Sequence, residues 1–90
     1  MYKLKIHRDV EKQIAKAPLP IRKKAFAFLK HIRKNGSKDC SFSIKPLQGE
    51  FKRSKFFEVK IAKDYRIIFR KDGDTFYVRW AGTHNRLDTG

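Results

Sequence analysis

The sequence has few of the residues from which disulfides and metal sites are built. Cys40 is its single cysteine, so no intramolecular disulfide can form, and no other ligand surrounds it at metal-site spacing. The 9 acidic residues form no cluster that could hold Mg²⁺. A glycine-rich phosphate loop and a Ser-His-Asp set of residues are also missing. We therefore expect neither a metal nor a cofactor, and a reducing compartment.

Long apolar runs are absent as well. No stretch approaches the roughly 18 consecutive apolar residues that a membrane-spanning helix needs. The N-terminal residues MYKLKIHRD alternate charged and apolar side chains, whereas a signal peptide needs an uninterrupted apolar core. We therefore predict a cytoplasmic protein with no membrane partner.

Positive charge is what the chain has in excess. Lysine and arginine number 23 against 9 acidic residues, which gives a net charge of +14 at pH 7. The cations are spread along the whole chain, so the folded domain itself is expected to attract polyanions. This charge predicts a nucleic-acid or ribonucleoprotein target; a merely soluble basic surface is the alternative.

The apolar pattern predicts a single α+β domain spanning residues 1–90. Tyr2, Leu4 and Ile6 alternate with lysines, as in a half-buried strand. Two helical segments follow, separated by the sequence APLP, and the second is expected to end at Asn35-Gly36. Four strands complete the order β-α-α-β-β-β-β. A helical hairpin is expected to pack on one face of a small antiparallel sheet.

The segment DYRIIFRKDGDTFYVRW is predicted to be a β-hairpin closed by a two-residue loop at Asp72-Gly73. In this register Arg66 lies opposite Arg79, and the apolar residues of both strands share one face. A slip of one residue would bury the arginines, which supports the register.

The same requirement fixes the preceding hairpin. A three-residue turn over residues 62–64 keeps its apolar residues in phase with the next strand and pairs Lys60 with Arg66. Lys60, Arg66 and Arg79 are then expected to form a row on the sheet face away from the helices. Like charges directly opposite one another are unfavourable, so the row predicts an anion-binding site, because guanidinium groups hold phosphate bidentately. Splaying of the three side chains into solvent is the alternative.

One of the three histidines is placed where it could act on a bound phosphate. His7 and His31 are predicted to have structural or solvent roles. His84 follows the last strand, where its loop could lie over the cations, and histidine titrates near neutral pH. Without a metal, hydrolysis of RNA is still feasible because the 2′-hydroxyl is an internal nucleophile. The protein must orient it, neutralise the phosphorane and protonate the leaving oxygen.

Three motifs, IKPLQGE, FFEVKIAKDYRIIF and AGTHNRLD, resemble the RelE/ParE superfamily of bacterial toxin–antitoxin modules. The resemblance covers essentially the whole chain, and the GTH ending is most similar to the YafQ-like branch of ribosome-dependent mRNA endonucleases. It implies a metal-independent endoribonuclease that inhibits translation by cutting mRNA in the ribosomal A site, with contacts to rRNA. It also implies a cognate antitoxin and a toxin–antitoxin hetero-oligomer.

The resemblance further implies roles for individual residues. His84 would be the general acid, Arg66 the phosphate-stabilising arginine, and Asp64 matches an acidic residue implicated in the YafQ-like branch. Lys60 and Lys45 stand where that branch tends to carry histidines, so the general base stays open, with Lys60 as a candidate. Trp80 is predicted to lie in the core. The candidates for substrate binding are Lys45, Lys52, Arg53, Tyr77 and Arg79.

Two other functions remain open at this point. A non-catalytic ParE-like toxin would inhibit DNA gyrase, spare translation and be indifferent to the loss of His84. A plain basic RNA-binding module would bind with strong salt dependence and cause no growth arrest.

Overall fold

The structure, a computed structural model, describes residues 2–46 and 56–83. The elements follow the predicted order β-α-α-β-β-β-β. They are β1 (Lys3–Ile6), α1 (Arg8–Ala15), α2 (Leu19–Asn35), β2 (Ser43–Pro46), β3 (Phe56–Ala62), β4 (Tyr65–Asp72) and β5 (Thr75–Thr83). Lys52, Arg53 and His84, three of the predicted site residues, lie outside the described residues.

Each helix begins and ends at a residue suited to that position. His7 is the N-cap of α1, and its Nδ1 accepts a hydrogen bond of 3.1 Å from the Asp9 backbone N–H, so His7 has the structural role predicted for it. Pro20 stands in the first turn of α2, where its missing N–H is not needed. The predicted end of α2 is confirmed at Gly36, which has φ 68° and donates its N–H to the Ile32 carbonyl.

The five strands form one mixed sheet in the order β1-β5-β4-β3-β2. Strands β2 to β5 pair antiparallel with their neighbours, as predicted, but β1 runs parallel to β5. The prediction of a purely antiparallel sheet is therefore wrong for β1. A parallel pair requires a long crossover connection, and here the helices α1 and α2 lie in the chain between the first strand and the sheet.

Both helices pack their apolar stripes against one face of the sheet. Phe69 lies at the middle of this core, with its ring centroid 5.6 Å from that of Phe28 on α2 and 5.9 Å from that of Phe76 on β5. Burial of these side chains supplies most of the driving force for folding. The largest fully buried side chains of this core are Val10, Ile14, Phe28, Ile32, Val59, Ile67, Phe69, Phe76 and Val78.

The hairpin of β3 and β4 has the predicted pairing of Lys60 with Arg66. The turn itself differs, because Ala62 pairs with Tyr65 and a bulge falls between Lys60 and Ala62. A bulged residue, Ile61, followed by a two-residue turn replaces the predicted three-residue turn. Both arrangements insert one residue, so the apolar residues stay in phase.

The hairpin of β4 and β5 closes one residue later than predicted. Asp72 pairs with Thr75, so the loop is Gly73-Asp74 and not Asp72-Gly73. Gly73 takes the first central position of the loop with φ 63°, a left-handed conformation that glycine adopts at little cost. The tetrapeptide DGDT allows glycine at either central position of the loop. Because the structure uses the first position and not the predicted second, different residues of β5 pair with β4.

A second difference in this hairpin is a bulge at Arg79. Phe69 pairs with Val78, whereas Ile68 pairs with Trp80, so Arg79 is the extra residue of β5. The bulge shifts the strand beyond it by one residue relative to an unbroken ladder. The two changes together mean that the predicted pairing of Arg66 with Arg79 is wrong.

Candidate functional site

The sheet face opposite the helices, here called the open face, has four rows of residues that cross the strands. The first row, nearest the β3–β4 turn, is Ser43, Lys60, Arg66 and Gly82. The second row is Lys45, Glu58, Ile68 and Trp80. The third row is Phe56, Arg70, Tyr77 and Lys5, and the fourth, beside the β4–β5 loop, is Asp72, Thr75 and Lys3.

The predicted row of three cations is reduced to a pair. Lys60 lies beside Arg66 as expected, but the neighbour of Arg66 on β5 is Gly82. Arg79 is exposed at the bulge and belongs to a different part of the open face. Because Gly82 has no side chain, the sheet avoids a second like-charge contact beside Arg66.

The guanidinium of Arg66 holds the β3–β4 turn. Its Nη1 donates to the carbonyl oxygens of Ala62 at 2.9 Å, Lys63 at 3.1 Å and Tyr65 at 3.4 Å. Its Nε lies 3.5 Å from Glu58 Oε1, and only 12% of the side chain is exposed. Arg66 is therefore a rigid, largely buried charge rather than an open phosphate clamp.

Glu58 is a residue of the candidate site that was not predicted from the sequence. Its carboxylate is buried, and Oε1 lies 3.7 Å from Lys45 Nζ as well as 3.5 Å from Arg66 Nε. A buried carboxylate needs such compensation. The signal was present in FFEVKI, where the strand period puts Glu58 on the same face as Lys60.

Lys60 and Asp64 are exposed at the same end of the open face. Lys60 neighbours Arg66 across the strands, and Asp64 is in the turn that Arg66 holds. Thr83, the last described residue of β5, pairs with Tyr65, so the end of β5 also lies beside this turn. The described end of β5 thus lies next to the cation pair, because Gly82 pairs with Arg66.

Trp80 lies on the open face, so the prediction that it belongs to the core is wrong. The bulge at Arg79 reverses the phase of β5, and Ala81 instead faces the helices as a fully buried residue. A Cβ atom built on Gly82 would lie 2.8 Å from the Trp80 ring, so glycine is needed beside the indole. The half-buried ring is a surface on which a base could stack.

Tyr77, a predicted substrate-binding residue, lies on the open face in a cationic environment. The guanidinium carbon of Arg70 is 4.5 Å from the Tyr77 ring centroid, and Lys5 Nζ is 5.9 Å from it. Both distances are within the range of a cation–π interaction.

Tyr65 lies on the opposite, helix-covered face of β4. Its ring packs in the core, and its hydroxyl is buried without a hydrogen-bond partner among the residues that the structure describes. Burial raises the pKa of the Tyr65 hydroxyl above its ordinary value, because the charged phenolate is poorly solvated there.

The described part of the chain lacks two features. Within residues 2–46 and 56–83, no three side chains of His, Cys, Asp or Glu are grouped so that they could hold a metal ion. None of the helices in those residues combines the length and the apolar character needed to cross a bilayer.

The model of the ParE-like toxin domain family matches residues 19–88 of this chain. Comparison with curated proteins by sequence gives no significant match.

Solved structures of three toxin systems are similar in fold. YafQ from E. coli strain BL21(DE3) has a TM-score of 0.79 and 14% identity, with 98% of this chain and 99% of that chain covered. A chain of the archaeal RelE–RelB complex from Pyrococcus horikoshii OT3 has a TM-score of 0.74 and 18% identity, with 94% and 97% covered. A chain of the heterotetrameric YoeB–YefM toxin–antitoxin complex from Staphylococcus aureus has a TM-score of 0.73 and 14% identity, with 93% of this chain and 98% of that chain covered. The predicted α+β fold is confirmed.

Proposed function

This chain belongs to the ParE-like toxin domain family, and we propose that it is the toxin of a toxin–antitoxin module that inhibits translation by cleaving mRNA on the ribosome. The observation that carries the proposal is the pairing of Lys60 with Arg66 beside the end of β5. A fixed guanidinium, an exposed amine and the strand that leads to His84 meet at one end of a basic sheet face.

The cleavage begins with attack of an RNA 2′-oxygen on the adjacent phosphorus. The 2′-hydroxyl proton passes to a general base, the bond from phosphorus to the 5′-oxygen breaks, and a general acid protonates that oxygen. The products are a 2′,3′-cyclic phosphate and a 5′-hydroxyl. Because the nucleophile belongs to the substrate, the reaction selects RNA over DNA by its chemistry.

Lys60 is assigned as the base and His84 as the acid. In the described part of the chain Lys60 takes part in no ion pair, whereas Lys45 lies 3.7 Å from the Glu58 carboxylate. Lys60 is therefore the better placed of the two amines to accept a proton. His84 follows Thr83, which pairs with Tyr65 beside the turn.

Arg66 contributes a fixed positive charge near the phosphorane and holds the turn that carries Asp64. Charge that is already oriented before the reaction stabilises a transition state without reorganisation cost. The hydrogen bonds from Nη1 to three carbonyl oxygens provide that orientation. Arg66 thus acts both on the phosphate and on the position of Asp64.

Substrate binding falls to the remaining basic and aromatic groups. Lys45, Tyr77 and Arg79 are on the open face or at its bulge, and Trp80 joins them as a surface for a base. Lys52 and Arg53, outside the described residues, keep their proposed role as phosphate contacts. Contacts to rRNA would come from the wider positive surface, since the net charge is +14.

An antitoxin is the proposed protein partner. RelE–RelB and YoeB–YefM were each solved as a complex of two proteins. A partner with an acidic segment would complement the charge of this chain and cover the open face in a hetero-oligomer.

The test is cleavage of mRNA on stalled ribosomes by the purified protein in the presence of EDTA. We expect RNA fragments with 2′,3′-cyclic phosphate ends, and we expect His84→Ala to lose at least a hundredfold in rate. His31→Ala is the matched control and should cleave at the normal rate. Intact mRNA with the wild-type protein, together with loss of thymidine but not methionine incorporation in expressing cells, would favour gyrase inhibition instead.

A further inference from the structure

A basic pocket, separate from the cation pair of Lys60 and Arg66, opens towards the other end of the open face. It has a volume of about 270 Å³, and the polar or aromatic side chains that line it are Lys5, His7, Phe56, Arg70, Tyr77 and Arg79. Three permanent cations and two aromatic rings therefore border one small cavity. No step of the proposed cleavage chemistry uses Lys5 or Arg70.

The pocket contains a planar surface that carries charge. Arg70 is positioned over the Tyr77 ring, with 4.5 Å between the guanidinium carbon and the ring centroid. Nucleobases stack on aromatic rings and on guanidinium planes alike. Lys5 and Arg79 are exposed at the same cavity, where their charges can reach a phosphate.

The pocket is also aligned with the proposed cleavage site. Arg66 and Arg70 are both on the open face of β4, four residues apart, which is roughly 13 Å along a strand. Trp80 lies in the row between them. A groove in which cations follow the backbone and aromatic rings receive the bases is the usual arrangement for single-stranded nucleic acid.

We infer that this pocket is a subsite for one nucleotide of single-stranded RNA. The base stacks on the pair of Arg70 and Tyr77, and the phosphate is bound by Lys5 and Arg79. The inference rests on the proposed function, in which the bound RNA is a strand whose cleaved bond lies at the Lys60 end of the open face. An acidic protein segment is the competing occupant, and it would have no use for a stacking surface.

The experiment measures binding without cleavage. The probe is a short single-stranded RNA in which every 2′-hydroxyl is methylated, so that no nucleophile is available. Its binding is followed by anisotropy of a label on the RNA and by the fluorescence of Trp80, the single tryptophan. The variants are Lys5→Gln and its matched control Lys3→Gln. Lys3 and Lys5 are both exposed on β1 two residues apart, and each substitution removes one charge, but Lys3 pairs with Thr75.

We expect Lys5→Gln to weaken binding about five- to tenfold and Lys3→Gln to change it less than twofold. Tyr77→Leu should weaken binding to a similar extent as Lys5→Gln, and Tyr77→Phe should retain it, because stacking needs the ring and not the hydroxyl. Equal effects of Lys5→Gln and Lys3→Gln would overturn the inference. The inference would also be overturned if Lys5→Gln lost binding to a polyglutamate peptide while its binding to the RNA probe was unchanged. That result would assign the pocket to an acidic protein segment.

The two proposals fail in different ways. A protein that binds the methylated RNA through Lys5 but leaves mRNA intact on the ribosome contradicts the cleavage and supports the subsite. If the wild-type protein cleaves mRNA but Lys5→Gln and Lys3→Gln bind the probe equally well, only the subsite is contradicted.

Discussion

Glu58 and Arg66 form an ion pair on the open face, with 3.5 Å between Oε1 and Nε. Both side chains are almost fully buried, and the pair connects the middle of β3 to the β3–β4 turn through the three hydrogen bonds of Arg66 Nη1. The basic face is thus organised around one carboxylate.

Glu58→Gln should destabilise the fold by about 1–3 kcal/mol, because Arg66 keeps its charge but loses its only acidic partner among the described residues. Urea unfolding monitored by circular dichroism measures the change. Glu11→Gln, at an exposed position of α1, removes the same charge and should cost less than 0.5 kcal/mol. Equal costs at the two positions would show that the ion pair contributes nothing specific.

Lys60→Ala should lower the rate of mRNA cleavage by roughly 10²- to 10⁴-fold, the usual contribution of a general base. Lys63→Ala is the control, since Lys63 is an exposed lysine in the adjoining turn, and it should retain nearly the full rate. Lys45→Ala should act mainly on substrate binding. A variant at Lys60 that cleaves as fast as the one at Lys63 would remove the base assignment.

Gly82→Ala should destabilise the protein by about 1–3 kcal/mol, because the new methyl group would meet the Trp80 ring at 2.8 Å. The reason can be isolated with a double-mutant cycle. In a Trp80→Leu background the same substitution should cost much less, since the ring is gone. Thermal unfolding of the four proteins gives the coupling. Additive effects would mean that the indole does not lie over Gly82 in solution.

Tyr65→Phe should leave stability at neutral pH unchanged or raise it by up to about 1 kcal/mol, because it removes a buried hydroxyl with no partner among the described residues. Above pH 10 the wild type and Tyr65→Phe are expected to differ in how much stability they lose. The raised pKa of Tyr65 means that the folded state holds the phenol proton more tightly than the unfolded state, so its contribution is present below pH 10 and lost at higher pH. Tyr65→Phe should therefore lose less stability in alkali than the wild type. Urea unfolding at pH 7 and above pH 10 measures the difference, and an equal loss of stability in alkali for Tyr65→Phe and the wild type would contradict the prediction.

Much of this architecture could be predicted from the alternation of apolar residues. The period of two in β3 and β4, although interrupted by Ile68, fixes Lys60 beside Arg66, since a slip of one residue would bury charge. The end of α2 at Gly36 follows from the positive φ that only glycine adopts freely.

The register of β5 could not be predicted in the same way. The sequence DGDT places glycine equally well at either central position of a two-residue loop, and a bulge adds one residue without a residue type that marks it. Trp80 is half-buried on the open face, and an indole also suits a core, so the sequence did not distinguish the two faces.

The sheet order makes the first strand the neighbour of the last. Among the described residues, residues 3–6 pair with residues 75–78, so β1 cannot join the sheet until residue 78 has been synthesised. Lys5 and Tyr77 come from these two strands, so the pocket that they share forms only once the first strand has paired with the last strand of the sheet. The RNA-binding face proposed above is therefore incomplete in a nascent chain that has not yet reached residue 78.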